Sequence, residues 1–191
     1  NEDKDKKHDR VIFNLSRNQK LIYNDIRKFG FIKLVQKLNL DQNLHLKNLG
    51  PEPLEKKFNS SYFKQYIINK NRSIKDLLMD QKFISGLGNI YVNEILFFSG
   101  IKPLKKVKNL SESEIRKIIK FTKKILRKAI ALGGSSIKNF SSDNGKKGLF
   151  QQHFRVYGKK GDKCSKKSCG NNIIKFVISN RATFYCDKCQ K

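Results

Sequence analysis

The sequence predicts an α+β chain in three parts: the C-terminal strands of a β-sandwich domain (residues 1–50), a helical domain (51–150) and a cysteine-paired β-hairpin (151–191). Three observations predict it. Short apolar alternations fill the first part. The apolar period lengthens to a helical one beyond a boundary broken by proline and glycine. All four cysteines fall in two close pairs around a strand-like run near the end.

Residues 1–10, NEDKDKKHDR, are polar and are expected to be frayed or linker-like. Val11, Phe13 and Leu15 then alternate with Ile12 and Asn14. Leu21 and Tyr23 do the same after a turn at 17–19, and 29–35 is a third apolar run. Three strands are too few for an independent sandwich. They read as the end of a β domain that begins outside this chain, an expectation that the start on Asn1 rather than Met shares.

The stretch LGPEPL at 49–54 forbids regular structure. Beyond it, 60–69 places Tyr62, Phe63, Tyr66 and Ile67 on one side of a helix, and 74–79 forms a short second one. A third helix, 89–99, turns Ile90, Val92, Ile95, Leu96 and Phe97 inward, with Gly100 placed to stop it. The fourth, 111–132, opens on a capping box between Ser111 and Glu114. Its stripe is Ile115, Ile118, Ile119, Leu126, Ala129 and Ile130. Gly133 and Gly134 end it, a further helical turn can begin at 135–140, and SSDNGKKG at 141–148 is a flexible loop by composition.

The tail reads C-SKKS-C-GNNIIKFVISNRATFY-C-DK-C. Each cysteine pair sits on a tight turn, and the hairpin between brings the turns together, which is the pattern of a zinc ribbon. Cys164, Cys169, Cys186 and Cys189 are the expected ligands of one structural Zn²⁺, which stands in for the core that so short a segment cannot build. The first pair is C-x4-C, looser than the usual C-x2-C of the second. Metal-spaced cysteines point to a reducing compartment, hence the cytoplasm.

Lys plus Arg total 42 against 16 Asp plus Glu, a formal net charge of +26. An imbalance of this size favours a polyanionic partner, nucleic acid first and an anionic membrane surface second. No apolar run approaches a membrane span, so a soluble protein is expected. No pattern for a nucleophilic Ser or Cys stands out, the cysteines being committed to metal, and no catalytic metal cluster with an open position is visible.

Three motifs could touch nucleic acid. Gly86, Gly88 and Asn89 open a helix, where free N–H groups bind anions, although a plain turn and cap reads equally well. Arg27, Lys28 and Phe29 put two cations beside a ring that could wedge between bases; a core Phe with solvated cations is the simpler reading. Arg181 lies near the tip of the cysteine hairpin, as a phosphate ligand or as an ordinary turn residue.

Taken together, these stretches resemble bacterial formamidopyrimidine-DNA glycosylase, the base-excision enzyme for oxidised purines. The resemblance runs from about residue 7 to 191 and rests on KHDR at 7–10, DIRKFG at 25–30, LGPEPL at 49–54, MDQ at 79–81, GLGNIYVNE at 86–94, GG at 133–134, VYGKKG at 156–161 and RATFYCDKCQK at 181–191. Endonuclease VIII, the sister branch for oxidised pyrimidines, shares the helix-two-turn-helix and the zinc finger. DIRKFG and the GGSS–loop–GLF run are more similar to the purine branch.

The resemblance implies roles. His8 matches a DNA-contacting position; Arg27 and Phe29 match the pair that fills the gap left by the everted nucleotide and faces the orphaned cytosine. Lys75 matches a lysine at the DNA interface, and residues 70–72, with Arg72, lie along the backbone. Asn89 matches the asparagine that grips phosphate at the lesion, and 141–148 the loop that closes over the everted base. Arg181 matches the zinc-finger arginine that grips phosphates and donates the proton in δ-elimination, which makes it the catalytic candidate.

The family usually has Pro where Ile26 stands and Arg where Lys28 stands. Its nucleophile is an N-terminal proline amine followed by glutamate, which attacks C1′ of the sugar and forms a Schiff base. The prolines here, Pro51, Pro53 and Pro103, are internal. The resemblance therefore implies the damaged-DNA-binding part of a bifunctional glycosylase and abasic-site lyase, truncated at its N-terminus and inactive in excision by itself. Its partner is double-stranded DNA with oxidised purines or abasic sites, it acts as a monomer without a membrane, and it sits in the bacterial cytoplasm on the nucleoid. The other readings are a non-catalytic zinc-ribbon DNA-binding protein and an endonuclease VIII-like enzyme.

Overall fold

In the computed structural model residues 7–135 and 148–191 are described. Residues 1–6 of the polar start, the helical turn expected after 135 and all but the last residue of the loop expected at 141–148 lie outside them. The chain forms two compact units, Asn1–Asn43 and Leu44–Lys191.

The first unit is built on an antiparallel hairpin of β1 (Asp9–Asn14) and β2 (Lys20–Asn24), with Ile12 opposite Ile22 and Phe13 opposite Leu21. Arg17 and Asn18 at its tip both take positive φ, and Leu15 N–H closes the turn on the Gln19 carbonyl at 2.8 Å. The third strand expected at 29–35 does not form. The Asp25 carboxylate accepts the N–H groups of Arg27, Lys28 and Gly30, each at 2.9 Å, and bends the chain into a turn with Lys28 at φ +56°. Those bonds, the one from Gly30 foremost, hold the Asp25 carboxyl below the usual carboxylate range. A Cβ at Gly30 would overlap the Tyr23 hydroxyl and displace that side chain from its bond to Asp25.

The second unit is helical. Its core gathers Phe58, Phe63, Phe83 and the apolar faces of four helices. Asn59 caps α1 (Ser60–Ile67), its side chain accepting Tyr62 N–H at 3.0 Å, and Ser73 caps the short α2 (Ile74–Leu78) in the same way. The central helix α3 (Asn89–Ser99) is buried on nearly every side, and Gly100 ends it in the left-handed region. The helix α4 (Glu112–Ala131) carries the expected capping box. Its buried stripe is Ile115, Ile118, Thr122, Ile125 and Ala129; of the expected stripe, Ile119 and Leu126 are only partly buried and Ile130 is 67% exposed.

Two turns join α2 to α3. Gln81 braces them: its Oε1 accepts Gly86 N–H at 2.7 Å and its Nε2 donates to the Leu87 carbonyl at 3.0 Å. The tail adds a second hairpin, β3 (Ile174–Ile178) and β4 (Arg181–Tyr185), closed by Ser179 and Asn180, both at positive φ as a tight two-residue turn demands. A second apolar cluster, with Phe97 of α3, Val156, Ile173 and Phe184, seats this hairpin on the helices.

Candidate nucleic-acid interface and metal centre

In the first unit, the Asp25 turn presents Arg27 and Phe29. Phe29 is 77% exposed, which removes the reading of it as core, and the Arg27 guanidinium lies 4.6 Å from its ring centroid. His8 is half-buried, and its backbone carbonyl accepts Asp25 N–H at 2.9 Å, tying it to the same turn.

In the second unit, the two-turn segment meets the tip of the β3–β4 hairpin. Asn89, the first residue of α3, donates from Nδ2 to the Ala182 carbonyl at 2.9 Å. Lys75 is 1% exposed, and its Nζ donates to the same carbonyl at 3.1 Å and to Thr183 Oγ1 at 2.6 Å. Burial pulls the Lys75 ammonium down to about 8; Asp76 opposes this and Arg181 adds to it. Ser179 donates to Asp76 Oδ1 at 2.8 Å. Arg72 is held rather than free, bonded to Asp80 Oδ2 and to the Asp76 carbonyl, both at 2.6 Å. Burial pushes the Asp80 carboxyl up, but the Lys82 N–H and Arg72 outweigh it and keep it low.

Between these elements lies a cavity of about 600 Å³, lined by Arg72, Lys75, Asp76, Gln81, Ser179 and Arg181 among others. Arg181 stands at the start of β4 opposite Ile178, with its side chain exposed, rather than within the turn itself. The structure thus brings Arg72, Lys75, Asn89 and Arg181 to one junction.

Sequence reasoning missed the residues that hold this junction together. Asn93, fully buried in α3, accepts Phe184 N–H at 2.7 Å and donates to the Asn89 carbonyl at 2.6 Å. Its neighbour Glu94 accepts three consecutive N–H groups, from Arg155, Val156 and Tyr157, each at 2.9 Å. Burial nevertheless raises the Glu94 carboxyl above its usual range. The signal was available: two polar residues inside an otherwise apolar helix ask for buried partners.

The four cysteines converge. Their sulfurs all lie within 4.8 Å of one another, with Cys164 and Cys189 3.8 Å apart and Cys169 and Cys186 3.4 Å apart. A tetrahedral Zn–S₄ centre with bonds of about 2.3 Å has S···S edges of about 3.8 Å, so this cluster can hold such an ion. Cys186 N–H is itself bonded to Gln190 Oε1 at 3.0 Å, and Lys188 Nζ reaches the Cys169 carbonyl at 2.9 Å, which fixes both turns.

Helices joined through two turns, seated against a four-cysteine hairpin, define a helix-two-turn-helix protein with a ribbon-type tail. Residues 49–141 match the model described as the formamidopyrimidine-DNA glycosylase H2TH domain. The chain is 44% identical over 186 residues to the formamidopyrimidine-DNA glycosylase of Rickettsia bellii, covering 97% of this chain and 67% of that protein. It is 43% identical to that of Bacillus subtilis, covering 99% and 68%. A Lactococcus lactis Fpg variant in complex with Fapy-dG-containing DNA superposes with a TM-score of 0.90 at 37% identity, over 98% of this chain and 68% of that one. The chain belongs to the formamidopyrimidine-DNA glycosylase family, and it spans about two thirds of the length of these relatives.

Among the described residues, no helix is long and apolar enough to cross a membrane.

Proposed function

We propose that this chain is the damaged-DNA-binding part of a bifunctional DNA glycosylase and abasic-site lyase that removes oxidised purines in base-excision repair. The observation that carries the reading is the junction of the two-turn segment with the hairpin. There the exposed Arg181 lines the cavity, and Asn89 at the N-terminus of α3 is bonded to the carbonyl of the next residue, Ala182. An exposed arginine and a helix N-terminus brought to one junction suit a phosphate backbone that must be held while a nucleotide is displaced. The relatives' names and the DNA in the Lactococcus complex support the same partner.

Arg181, exposed at the cavity, grips phosphate and supplies the proton for δ-elimination. Arg27, stacked on the exposed Phe29, enters the gap beside the orphaned base, with His8 on the same turn. Asn89 and Lys75 hold the hairpin and so set where Arg181 stands. The division of labour follows the parts 1–50, 51–150 and 151–191. The four cysteines hold one structural zinc: it contributes no chemistry to the sugar, but neutralises the thiolates and locks the hairpin. The protein acts as a monomer on DNA in the bacterial cytoplasm.

Pro51, Pro53 and Pro103 have no free amine, their nitrogens being in peptide bonds, so none of them can act as an amine nucleophile. The test is borohydride trapping and retention on duplex DNA carrying 8-oxoguanine opposite cytosine or an abasic site. The expected result is tighter retention of the abasic duplex than of intact duplex, with no covalent adduct. Equal retention of both duplexes removes the damaged-DNA reading, and an adduct means that another amine of these residues is the nucleophile.

A further inference from the structure

A second cavity, of about 200 Å³, is lined by none of the junction residues. It opens between the C-terminal half of α4, the end of α3 and the turn Phe150–His153. Its wall is aromatic. Phe98 and Phe121 stack with centroids 5.9 Å apart and 27° between planes, and the buried Phe150 stands behind them. Phe98 keeps 38% of its surface in water, although it belongs to an otherwise buried helix.

The rim is cationic. Lys124, Lys128 and Arg155 are exposed around the opening, and Lys128 Nζ lies 3.2 Å from His153 Nδ1. No acidic residue follows Glu114 in α4. Among the described residues, no carboxylate lies within ion-pair distance of Lys124 or Lys128. Arg155 feels the Glu94 carboxylate, but the three backbone N–H groups already occupy that carboxylate.

An apolar cavity of about 150 Å³ is enough to take benzene. This one therefore accommodates a single phenyl ring, and the rim would meet negative charge on either side of it. A phosphate backbone needs the cations but not a closed aromatic well; strand binding spreads its stacking rings along a groove. We propose that this cavity is a docking site for an acidic protein segment, which seats one Phe side chain against the wall formed by Phe98, Phe121 and Phe150 and lays its flanking carboxylates on Lys124, Lys128 and Arg155. The proposal does not rest on the reading of the DNA junction.

The probe is a fluorescein-labelled peptide, Gly-Asp-Glu-Asp-Phe-Asp-Glu-Gly, titrated with the metal-loaded chain and read by anisotropy. Its companions carry Ala for Phe, or Asn and Gln for the acids. The Phe peptide is expected to bind at least about fivefold more tightly than either companion. The exposed substitutions Lys124→Glu and Lys128→Glu together weaken it at least about tenfold while leaving retention of abasic duplex within about twofold. Equal binding of the Phe and Ala peptides overturns the proposal, since plain charge attraction would then account for it. A parallel loss of duplex binding in the Glu variants also overturns it, by making the rim part of the nucleic-acid surface.

Discussion

Lys75→Met tests the junction where its energetics are most legible. The Lys75 ammonium is buried against the hairpin with two acceptors, Ala182 O and Thr183 Oγ1. Its ordinary value of 10.5 falls to about 8, chiefly through burial, and that gap corresponds to about 3 kcal/mol against the charged form. Methionine fills the same space without charge. Both acceptors keep a partner: Ala182 O still receives Asn89 Nδ2, and Thr183 Oγ1 still donates to Arg181 O. Near pH 7 the variant loses two charge-assisted bonds, each worth about 1.5–3 kcal/mol, and escapes the burial penalty of about 3 kcal/mol. The net cost is about 0–3 kcal/mol.

The pH dependence is sharper than that total. The unfolded chain keeps the proton to about 10.5 and the folded chain only to about 8, so the unfolded state binds more protons between these values. Wild-type stability therefore gains about 1.4 kcal/mol per pH unit in this window from Lys75, and the Met variant lacks that gain. Urea unfolding of both metal-loaded proteins at pH 7.5 and 9.5 reads the difference. The deficit of the variant is expected to widen by about 2 kcal/mol at the higher pH. A deficit equal at the two pH values would mean that the ammonium is not depressed, and a narrowing one would reverse the sign of the reasoning.

Three further outcomes are expected. Cys186→Ser removes one of four ligands, and a colorimetric chelator should find the dialysed variant without zinc; one equivalent retained would sink the four-thiolate centre. Asn93→Ala leaves the buried Phe184 N–H without its acceptor and should lower stability by about 1–3 kcal/mol in denaturant titration, whereas a neutral effect would show that the hairpin does not depend on this bond. Arg181→Ala should weaken duplex binding at low salt and reduce the slope of log K against log salt by about 1, and an unchanged slope would take Arg181 off the phosphates.

Much of the molecule is legible in local patterns. Ser111 and Glu114 announce the start of α4, Gly100 the end of α3, and the paired cysteines the ribbon, because each is a requirement of a few neighbouring residues. The run at 29–35 shows the limit. Its composition suits a strand, but a strand needs a partner, and the Asp25 carboxylate bends the chain at the start of the run by capturing the N–H of Gly30 and those of Arg27 and Lys28 just before it. The stripe of α4 slips for a related reason: Ile130 and Ile125 are chemically alike, and only the neighbouring elements decide which one is covered.

The sequence by itself determined the family, the helix boundaries to within two residues, the charge and the pairing of the four cysteines that cluster, all of which are written in spacing and residue type. Tertiary structure alone decided that Lys75 points into the hairpin, that Asn93 and Glu94 lock it to α3, and that Phe98 and Phe121 frame a cavity. Those facts join residues some twenty to more than a hundred positions apart, as Phe98 meets Phe121, Glu94 joins 155–157 and Lys75 joins Thr183. A contact across that separation leaves no period in the chain, because its geometry is fixed by packing rather than by its neighbours in sequence.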